Sequence, residues 1–250
     1  VILCCVLGWF LIECFEVYIP RTATLALAFI FGMGIAGVVL EWLAIPFLLR
    51  RRTIAGGLAL ALGLLALGVW RRPRRPPESG LGGEAGTADH LMRREMARAG
   101  HEAAIERPRG AARVFCVVAF ALIAAITGFN FWHALLYPEV YWDSLILYLG
   151  YARMTFLEGG FPIKVVGQVG IGLGANYPHL FAVLGAGVAT VAGEWSELPQ
   201  RLIAPLCGVA TTLLVYHTSL RLTRRIDAAL AFALLYRSIP LGVAYDQYAS

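Results

Sequence analysis

Charged residues are scarce in this sequence of 250 residues, because Asp, Glu, Lys and Arg together make up only 15% of it. An average soluble domain contains about 25%, so the composition excludes a soluble globular enzyme and a disordered protein. Cysteine is scarce as well. The five cysteines all lie in apolar segments and lack the paired spacing of a zinc site. This excludes a disulfide-stapled secreted module and favours a packing role for the thiols.

Hydrophobic residues, by contrast, account for 59% of the chain. They recur in runs of roughly 18 residues or more, the length at which a helix spans a bilayer. The sequence therefore predicts an all-α polytopic membrane protein with five or six spans. The candidate spans are 1–19, 23–49, 54–70, 114–136 and 202–220, with 227–245 as a sixth that carries Arg237.

Residues 71–113 form a long polar loop that contains ten arginines against six acidic residues. The positive-inside rule places this loop in the cytoplasm. The net charge of +5 thus reflects membrane orientation and does not indicate a nucleic-acid partner. The loop separates N-terminal apolar helices in 1–70 from the start of a membrane domain in 114–250. We expect the chain to be truncated at both ends, because Val1 lies inside one apolar run and Ser250 closely follows another.

Residues 137–201 form an acidic loop that the charge pattern places on the outer face. The span 114–136 leads out of the cytoplasm, and the next basic cluster, at 221–225, has to be inside again. The short stretch 176–193, rich in Gly and Ala, would break this order if it crossed the membrane. We therefore predict that it stays on the outer side as a docked or re-entrant pair of short helices.

The N-terminal third does not follow the same rule. Arginines at 50–52 precede the apolar segment 54–70 and arginines at 71–75 follow it, and both clusters favour the cytoplasmic side. Either 54–70 does not span the membrane, or a helix that precedes Val1 overrides the rule. The sequence leaves both alternatives open.

Unusual residues concentrate at the start of the outer loop. Trp142 and Asp143 precede an amphipathic helix predicted over 144–157, which Gly159 and Gly160 end. Asp143 stands at the N-cap position, where a carboxylate stabilises a helix. The same carboxylate lies at the membrane boundary, where a lipid-borne substrate presents its headgroup. The cap and the catalytic carboxylate are both open interpretations, and they are compatible.

Two further polar residues are candidates for binding. His179 follows Tyr177 and Pro178 at a helix start, and it is either a proton carrier or ligand, or a structural polar contact. No residues at metal-ligand spacing surround it. Arg201 opens the next span at the outer interface. It is either a snorkelling anchor or a group that grips a lipid phosphate.

The order of these motifs resembles the GT-C membrane glycosyltransferases, especially the bacterial relatives of protein O-mannosyltransferases and aminoarabinose transferases. The motifs are the Trp142-Asp143 pair, a helix ending Glu-Gly-Gly, NYPHL at 176–180, Arg201, and the basic turn RLTRR at 221–225. The resemblance covers roughly 114–250. It implies a GT-C-like transmembrane helix bundle with surface helices in the first outer loop.

The resemblance also implies the chemistry. Such enzymes transfer a sugar, with inversion, from a polyprenyl-phosphate donor to a glycan, lipid or protein acceptor at the outer face of the bacterial inner membrane. Asp143 matches the acidic residue that binds or deprotonates the acceptor. The positions that match substrate-binding residues are Tyr148, Tyr177, His179 and Arg201. No organic cofactor is implied, and the need for a divalent metal is left open.

The sequence departs from this family at two positions. Leu149 stands where many bacterial members have a histidine. The family's second acidic residue is expected beyond Ser250, although Asp246 is a weak candidate. The competing interpretation is a transporter or flippase-like protein without covalent chemistry, and Arg237 within a late span is its main signal. Acidic and aromatic residues concentrated in the outer loop favour the enzyme.

Overall fold

The computed structural model describes residues 2–14, 21–46, 48–71, 105–106, 108–137, 149–161 and 180–239. Within these ranges the chain forms eight α-helices and no strand, apart from an isolated bridge between Glu106 and Arg225. The predicted all-α class is thereby confirmed. The helices are α1 (Ile2–Cys14), α2 (Arg21–Ala44), α3 (Arg51–Trp70), α4 (Ala111–Leu136), α5 (Tyr151–Glu158), α6 (Leu180–Ala192), α7 (Leu198–Thr223) and α8 (Ile226–Ser238).

Four of these helices, α2, α3, α4 and α7, are long and apolar enough to cross a membrane. They correspond to the predicted spans 23–49, 54–70, 114–136 and 202–220. Helices α1, α6 and α8 have 13 residues each, so each rises about 20 Å, against a hydrocarbon core of about 30 Å. The remainder of the predicted span 227–245 lies outside the described residues.

Helices α1 and α2 form an antiparallel pair whose backbones touch. Gly8 of α1 lies against the carbonyl of Ala28, and Gly32 of α2 lies against the carbonyl of Cys4. A Cβ atom at either glycine would overlap the facing carbonyl group. Inside lipid, close contact of this kind between small residues is a main source of helix packing energy. These two glycines therefore set the distance between α1 and α2.

Helix α7 packs on α2 in the opposite direction. Ala26 and Phe29 of α2 form an apolar cluster with Ala210 of α7. Near the start of α2, the hydroxyl of Thr22 is hydrogen-bonded to the ring of His217, which lies near the end of α7. The start of each of these two helices therefore lies beside the end of the other.

The two ends of this helix bundle carry different segments. One end, which we call the basic end, holds the basic segment 221–225, which comprises the last residues of α7 and the turn that leads to α8. At the other, which we call the loop end, the N–H of Phe161 donates to the carbonyl of Ala44 at 3.1 Å. The N–H of Leu49 donates to the carbonyl of Gly159 at 3.0 Å. Helix α2 therefore ends, and α3 begins, beside the end of α5.

Helix α5 ends where the sequence predicts. Gly159 has a φ of 68°, in the left-handed region that glycine adopts without strain, and its N–H donates to the carbonyl of Thr155. The described helix covers Tyr151–Glu158, whereas the predicted one covers 144–157. Residues 144–148 lie outside the described ranges, so the start of the predicted helix stays a prediction.

Helix α6 runs beside α2 in the same direction. Leu180 at its start contacts Gly37, and Gly187 lies against Leu40. Helix α6 thus begins partway along α2 and ends at the loop end, and its 13 residues are too few to cross a bilayer. This length suits a re-entrant segment over 176–193, which stays a prediction because 176–179 lie outside the described residues.

Arg51, the first residue of α3, caps the end of α6. Its Nε donates to the carbonyl of Thr190 at 3.2 Å, and its Nη2 donates to the carbonyl of Ala192. Both carbonyls belong to the last turn of α6, which leaves such groups without partners inside the helix. A cation is also favoured there by the helix dipole. Arg51 therefore ties α3 to α6 at the loop end.

This contact gives one of the arginines that precede 54–70 a structural role. Helix α3 has 20 residues, so the cluster at 50–52 and Arg71 lie about 30 Å apart, at opposite ends of a helix of spanning length. Arg51 caps a helix, and the positive-inside rule, which counts only loop charges, does not take such a role into account. The length of α3 suits a span, and both alternatives for 54–70 stay predictions.

Replacing Arg51 with methionine is expected to lower the free energy of unfolding by about 1–2 kcal/mol, because the last carbonyls of α6 lose their donors. Thermal unfolding in detergent micelles measures the loss. The matched control is Arg52→Met, since Arg52 is exposed and makes no hydrogen bond to any described residue. An equal loss in both variants would show that the charge matters and the cap does not.

Candidate functional site

The first turn of α7 lies at the loop end and brings Arg201 into the bundle. Pro199 stands in this turn, where the missing N–H of proline leaves no helical hydrogen bond unmade. The N–H of Arg201 donates to the carbonyl of Glu197 at 3.0 Å, so the helix is regular from this point. The side chain of Arg201 then points inward and is only 9% exposed.

The guanidinium of Arg201 joins α7 to the end of α4. Its Nη2 donates to the carbonyl of Tyr137. Its Nε is buried and meets no hydrogen-bond partner among the described residues. No carboxylate in the described part of the chain forms an ion pair with it. A buried cation without a counterion is costly, and a guanidinium pairs well with carboxylate or phosphate. The site is therefore suited to an anion.

Two polar side chains near Arg201 also lack hydrogen-bond partners in the described part of the chain. Gln200 is 1% exposed, and neither its Oε1 nor its Nε2 has a hydrogen-bond partner within the described ranges. The indole Nε1 of Trp195, in the turn between α6 and α7, is also buried and has no hydrogen-bond partner within the described ranges. Each buried polar group without a partner costs about 1–3 kcal/mol. Native proteins rarely leave several of them together, so these groups are candidates for binding a polar ligand.

Gly185 of α6 makes room for the side chain of Gln200. A Cβ atom at position 185 would lie 2.7 Å from Cδ of Gln200, so any residue larger than glycine would push the amide away. On the other side, the ring of Trp195 packs against Phe156 of α5, with the ring centroids 6.0 Å apart. Helices α5, α6 and α7 therefore enclose the polar atoms of this turn.

Tyr151, at the start of α5, forms part of the apolar wall at this end. Its ring lies 6.1 Å from that of Phe161, centroid to centroid. Burial raises the pKa of Tyr151 above its ordinary value, and the carboxylate of Glu41 raises it further. Since the ordinary pKa of tyrosine is already about 10, the phenol stays neutral at physiological pH. At physiological pH, Tyr151 therefore carries a neutral hydroxyl group and cannot act as a phenolate base.

Exposed aromatic rings mark the two ends of the long helices. Trp42, Trp132 and Tyr137 are 70%, 57% and 52% exposed near the loop end, and Trp70 is 77% exposed at the far end of α3. Amphipathic rings of this kind settle at the headgroup level of a bilayer. Arg201, which contacts the carbonyl of Tyr137, therefore lies at the same level of the bundle as the rings near the loop end.

Most of the predicted site lies outside the described residues. This applies to Asp143, Tyr148, Tyr177 and His179, so their proximity to Arg201 stays a prediction. Within the described ranges no group of three His, Cys, Asp or Glu side chains is placed to hold a metal ion.

Sequence reasoning did not find Gln200 or Trp195. A glutamine in the first turn of an apolar helix, and a tryptophan just before it, are ordinary residues for a membrane interface. Their burial and lack of partners arise from the packing of α5 and α6, which the sequence does not display.

The fold and the site together define a class: an α-helical protein with four helices able to cross a membrane and a buried cationic site at one end of the bundle. Comparison with protein-family models, with curated proteins and with solved structures gives no match. A function therefore has to be argued from the site itself.

Proposed function

We propose that this chain is a membrane glycosyltransferase that moves a sugar from a polyprenyl-phosphate donor to an acceptor. The observation that carries the proposal is Arg201, a buried guanidinium whose Nε has no partner and which no described carboxylate balances. A lipid-linked phosphate is an anion that occupies the headgroup level, and the exposed rings near Tyr137 support the same level for this arginine. Phosphate is also the ligand that a guanidinium binds with paired hydrogen bonds.

In the proposed reaction, Asp143 takes the proton from an acceptor hydroxyl. The freed oxygen attacks the anomeric carbon of the sugar, and the bond from that carbon to the phosphate oxygen breaks. The phosphate keeps the electron pair, and Arg201 stabilises its charge. Attack from the face opposite the phosphate inverts the anomeric centre. Tyr148, Tyr177 and His179 are proposed to bind the sugar or the acceptor.

The setting of the reaction is part of the same proposal. We infer a bacterial inner membrane with the loop end facing outward, where the acceptor is a glycan, a lipid or a protein. A lipid-linked donor is charged with its sugar before the reaction, so no nucleotide has to bind. The resemblance of 114–250 to GT-C glycosyltransferases supports this reading.

A transporter or flippase-like function is the second candidate. The observation in its favour is Arg237, which is 3% exposed within the apolar helix α8, since buried charges in membrane helices often line a transport path. A transporter would move the donor lipid across the bilayer unchanged. A radiolabelled sugar that becomes covalently attached to an acceptor therefore separates the two functions.

Replacing Arg201 with glutamine is expected to weaken binding of a polyprenyl-phosphate sugar by about 10- to 100-fold, because a charge-assisted hydrogen bond to phosphate is worth about 1.5–3 kcal/mol. Lysine keeps the charge but loses the planar fork. Arg201→Lys should therefore bind the donor more weakly than the wild type and more tightly than Arg201→Gln. Transfer of a radiolabelled sugar by the full chain in lipid nanodiscs, measured over a range of donor concentrations, gives KM and kcat.

The control is Arg221→Gln, which removes an exposed arginine from the last turn of the same helix, at the basic end. It should leave both constants unchanged. An unchanged KM in Arg201→Gln would show that Arg201 does not bind the phosphate of the donor. No transfer by the wild type with any donor would favour the transporter.

A further inference from the structure

The turn between α6 and α7 and the first turn of α7 together hold four buried polar atoms that have no partner among the described residues: Nε1 of Trp195, Oε1 and Nε2 of Gln200, and Nε of Arg201. They fall within seven consecutive residues, 195–201. Buried groups of this kind are usually paired, so their clustering calls for an explanation. An apolar side chain at position 200 would satisfy packing without this cost.

The chemical types of these atoms determine which ligand groups could form hydrogen bonds with them. The indole N–H of Trp195 can only donate, and so can the Nε–H of Arg201. The amide of Gln200 offers both a donor and an acceptor. A hydroxyl group is the simplest partner for such an amide, because it donates and accepts at once. An anion is the simplest partner for the guanidinium. A hydroxyl-bearing group attached to a phosphate offers both kinds of partner.

We infer that Gln200 and Trp195 form the subsite that binds the hydroxyl groups of the donor sugar, beside the phosphate held by Arg201. This inference rests on the proposed function and adds to it the residues that select the sugar. Gly185 is part of the subsite, because only glycine leaves room for the Gln200 amide at its present position. The ring of Trp195, fixed against Phe156, holds its N–H near the same turn.

The test compares bare polyprenyl phosphate with the same lipid carrying glucose, mannose or N-acetylglucosamine. Binding to the full chain in phosphatidylcholine nanodiscs is measured for each of the four lipids. We expect the wild type to bind at least one sugar-bearing lipid about tenfold more tightly than the bare phosphate, the gain from one or two hydrogen bonds. Gln200→Met, which keeps the length of the side chain, should lose this tenfold preference and bind the bare phosphate as the wild type does.

Two variants refine the result. Trp195→Phe keeps an aromatic ring against Phe156 but loses the N–H, so the preference should fall by about threefold. Gly185→Ala displaces the Gln200 amide and should lower the preference as Gln200→Met does. The matched control is Thr212→Val, which replaces a buried polar side chain of the same helix whose hydroxyl donates to the carbonyl of Gly208 at 2.7 Å. It should keep the full preference.

Thermal unfolding without ligand shows whether the variants fold and whether the amide is structural. Gln200→Met should unfold at or above the wild-type temperature, because it removes unpaired polar atoms, whereas Thr212→Val should unfold at a lower one. A wild type that binds the bare phosphate through Arg201 but prefers none of the three sugars would overturn the inference alone. So would a Gln200→Met variant that keeps the preference. Failure of the wild type to bind any of the four lipids would overturn the proposed function, and the subsite with it.

Discussion

Replacing Gly32 with alanine is expected to lower the free energy of unfolding by about 3 kcal/mol, the upper part of the range for overpacked sites. The added methyl group would overlap the carbonyl of Cys4 on α1, and a backbone atom cannot move aside without moving its helix. Helices α1 and α2 would have to separate, and the contact of Gly8 with Ala28 would open with them. Unfolding in mixed micelles, followed while the denaturing detergent is increased, measures the change.

Gly34 provides the matched control, because it lies on the same helix and a Cβ atom there meets nothing within 4 Å. Alanine is the better helix former by up to about 1 kcal/mol, so Gly34→Ala should leave stability unchanged or raise it. The two substitutions are chemically identical and should act in opposite directions. Equal effects would show that helix propensity, and not the close approach of α1, decides the outcome.

Replacing Asp143 with asparagine is expected to lower the rate of sugar transfer by about 10²- to 10⁴-fold, the usual contribution of a general base. Asparagine has the same shape as aspartate and can still cap a helix, but it cannot take a proton from the acceptor. The loss should therefore appear in kcat, while binding of the donor lipid changes little. Single-turnover transfer of a radiolabelled sugar separates the chemical step from binding.

Glu158→Gln serves as the control for this substitution. Glu158 is an exposed carboxylate in the last turn of α5, so its loss tests whether the charge of the loop end, and not one particular group, supports transfer. We expect its activity to match the wild type. Undiminished transfer by Asp143→Asn would remove that residue from the mechanism.

The long helices could be predicted from sequence because hydrophobicity adds up along a segment without reference to the rest of the fold. The segments 23–49, 54–70, 114–136 and 202–220 all became helices of spanning length. The ambiguity around 54–70 had a different origin. Arginines at 50–52 were weighed as loop charges, whereas Arg51 donates to carbonyls of Thr190 and Ala192, about 140 positions away. No local pattern reveals a contact of that range.

The candidate site was less predictable, for a related reason. Arg201 could be singled out because a charge at the start of an apolar span is unusual in itself. Gln200 could not, since a glutamine becomes unusual only when it is buried and meets no partner among the described residues, and its burial depends on the close approach of Gly185. Burial is a property of the packed helices α5, α6 and α7. The sequence of α7 alone does not contain it.

Helix α3 links the site to the thickness of the surrounding bilayer. Ile54 is the only one of its 20 residues that is fully buried, and Leu58 packs against the core, so one face of α3 lies on the bundle and the other is open to acyl chains. Arginines at 50–52 and 71 would hold its two ends at the water interfaces. Lipids with longer or shorter chains would tilt or stretch such a helix to relieve hydrophobic mismatch. Because Arg51 is hydrogen-bonded to the end of α6, a change in the tilt of α3 would also move α6 and the first turn of α7, which carries Arg201. The depth of the proposed anion site would thus depend on the lipid as well as on the protein.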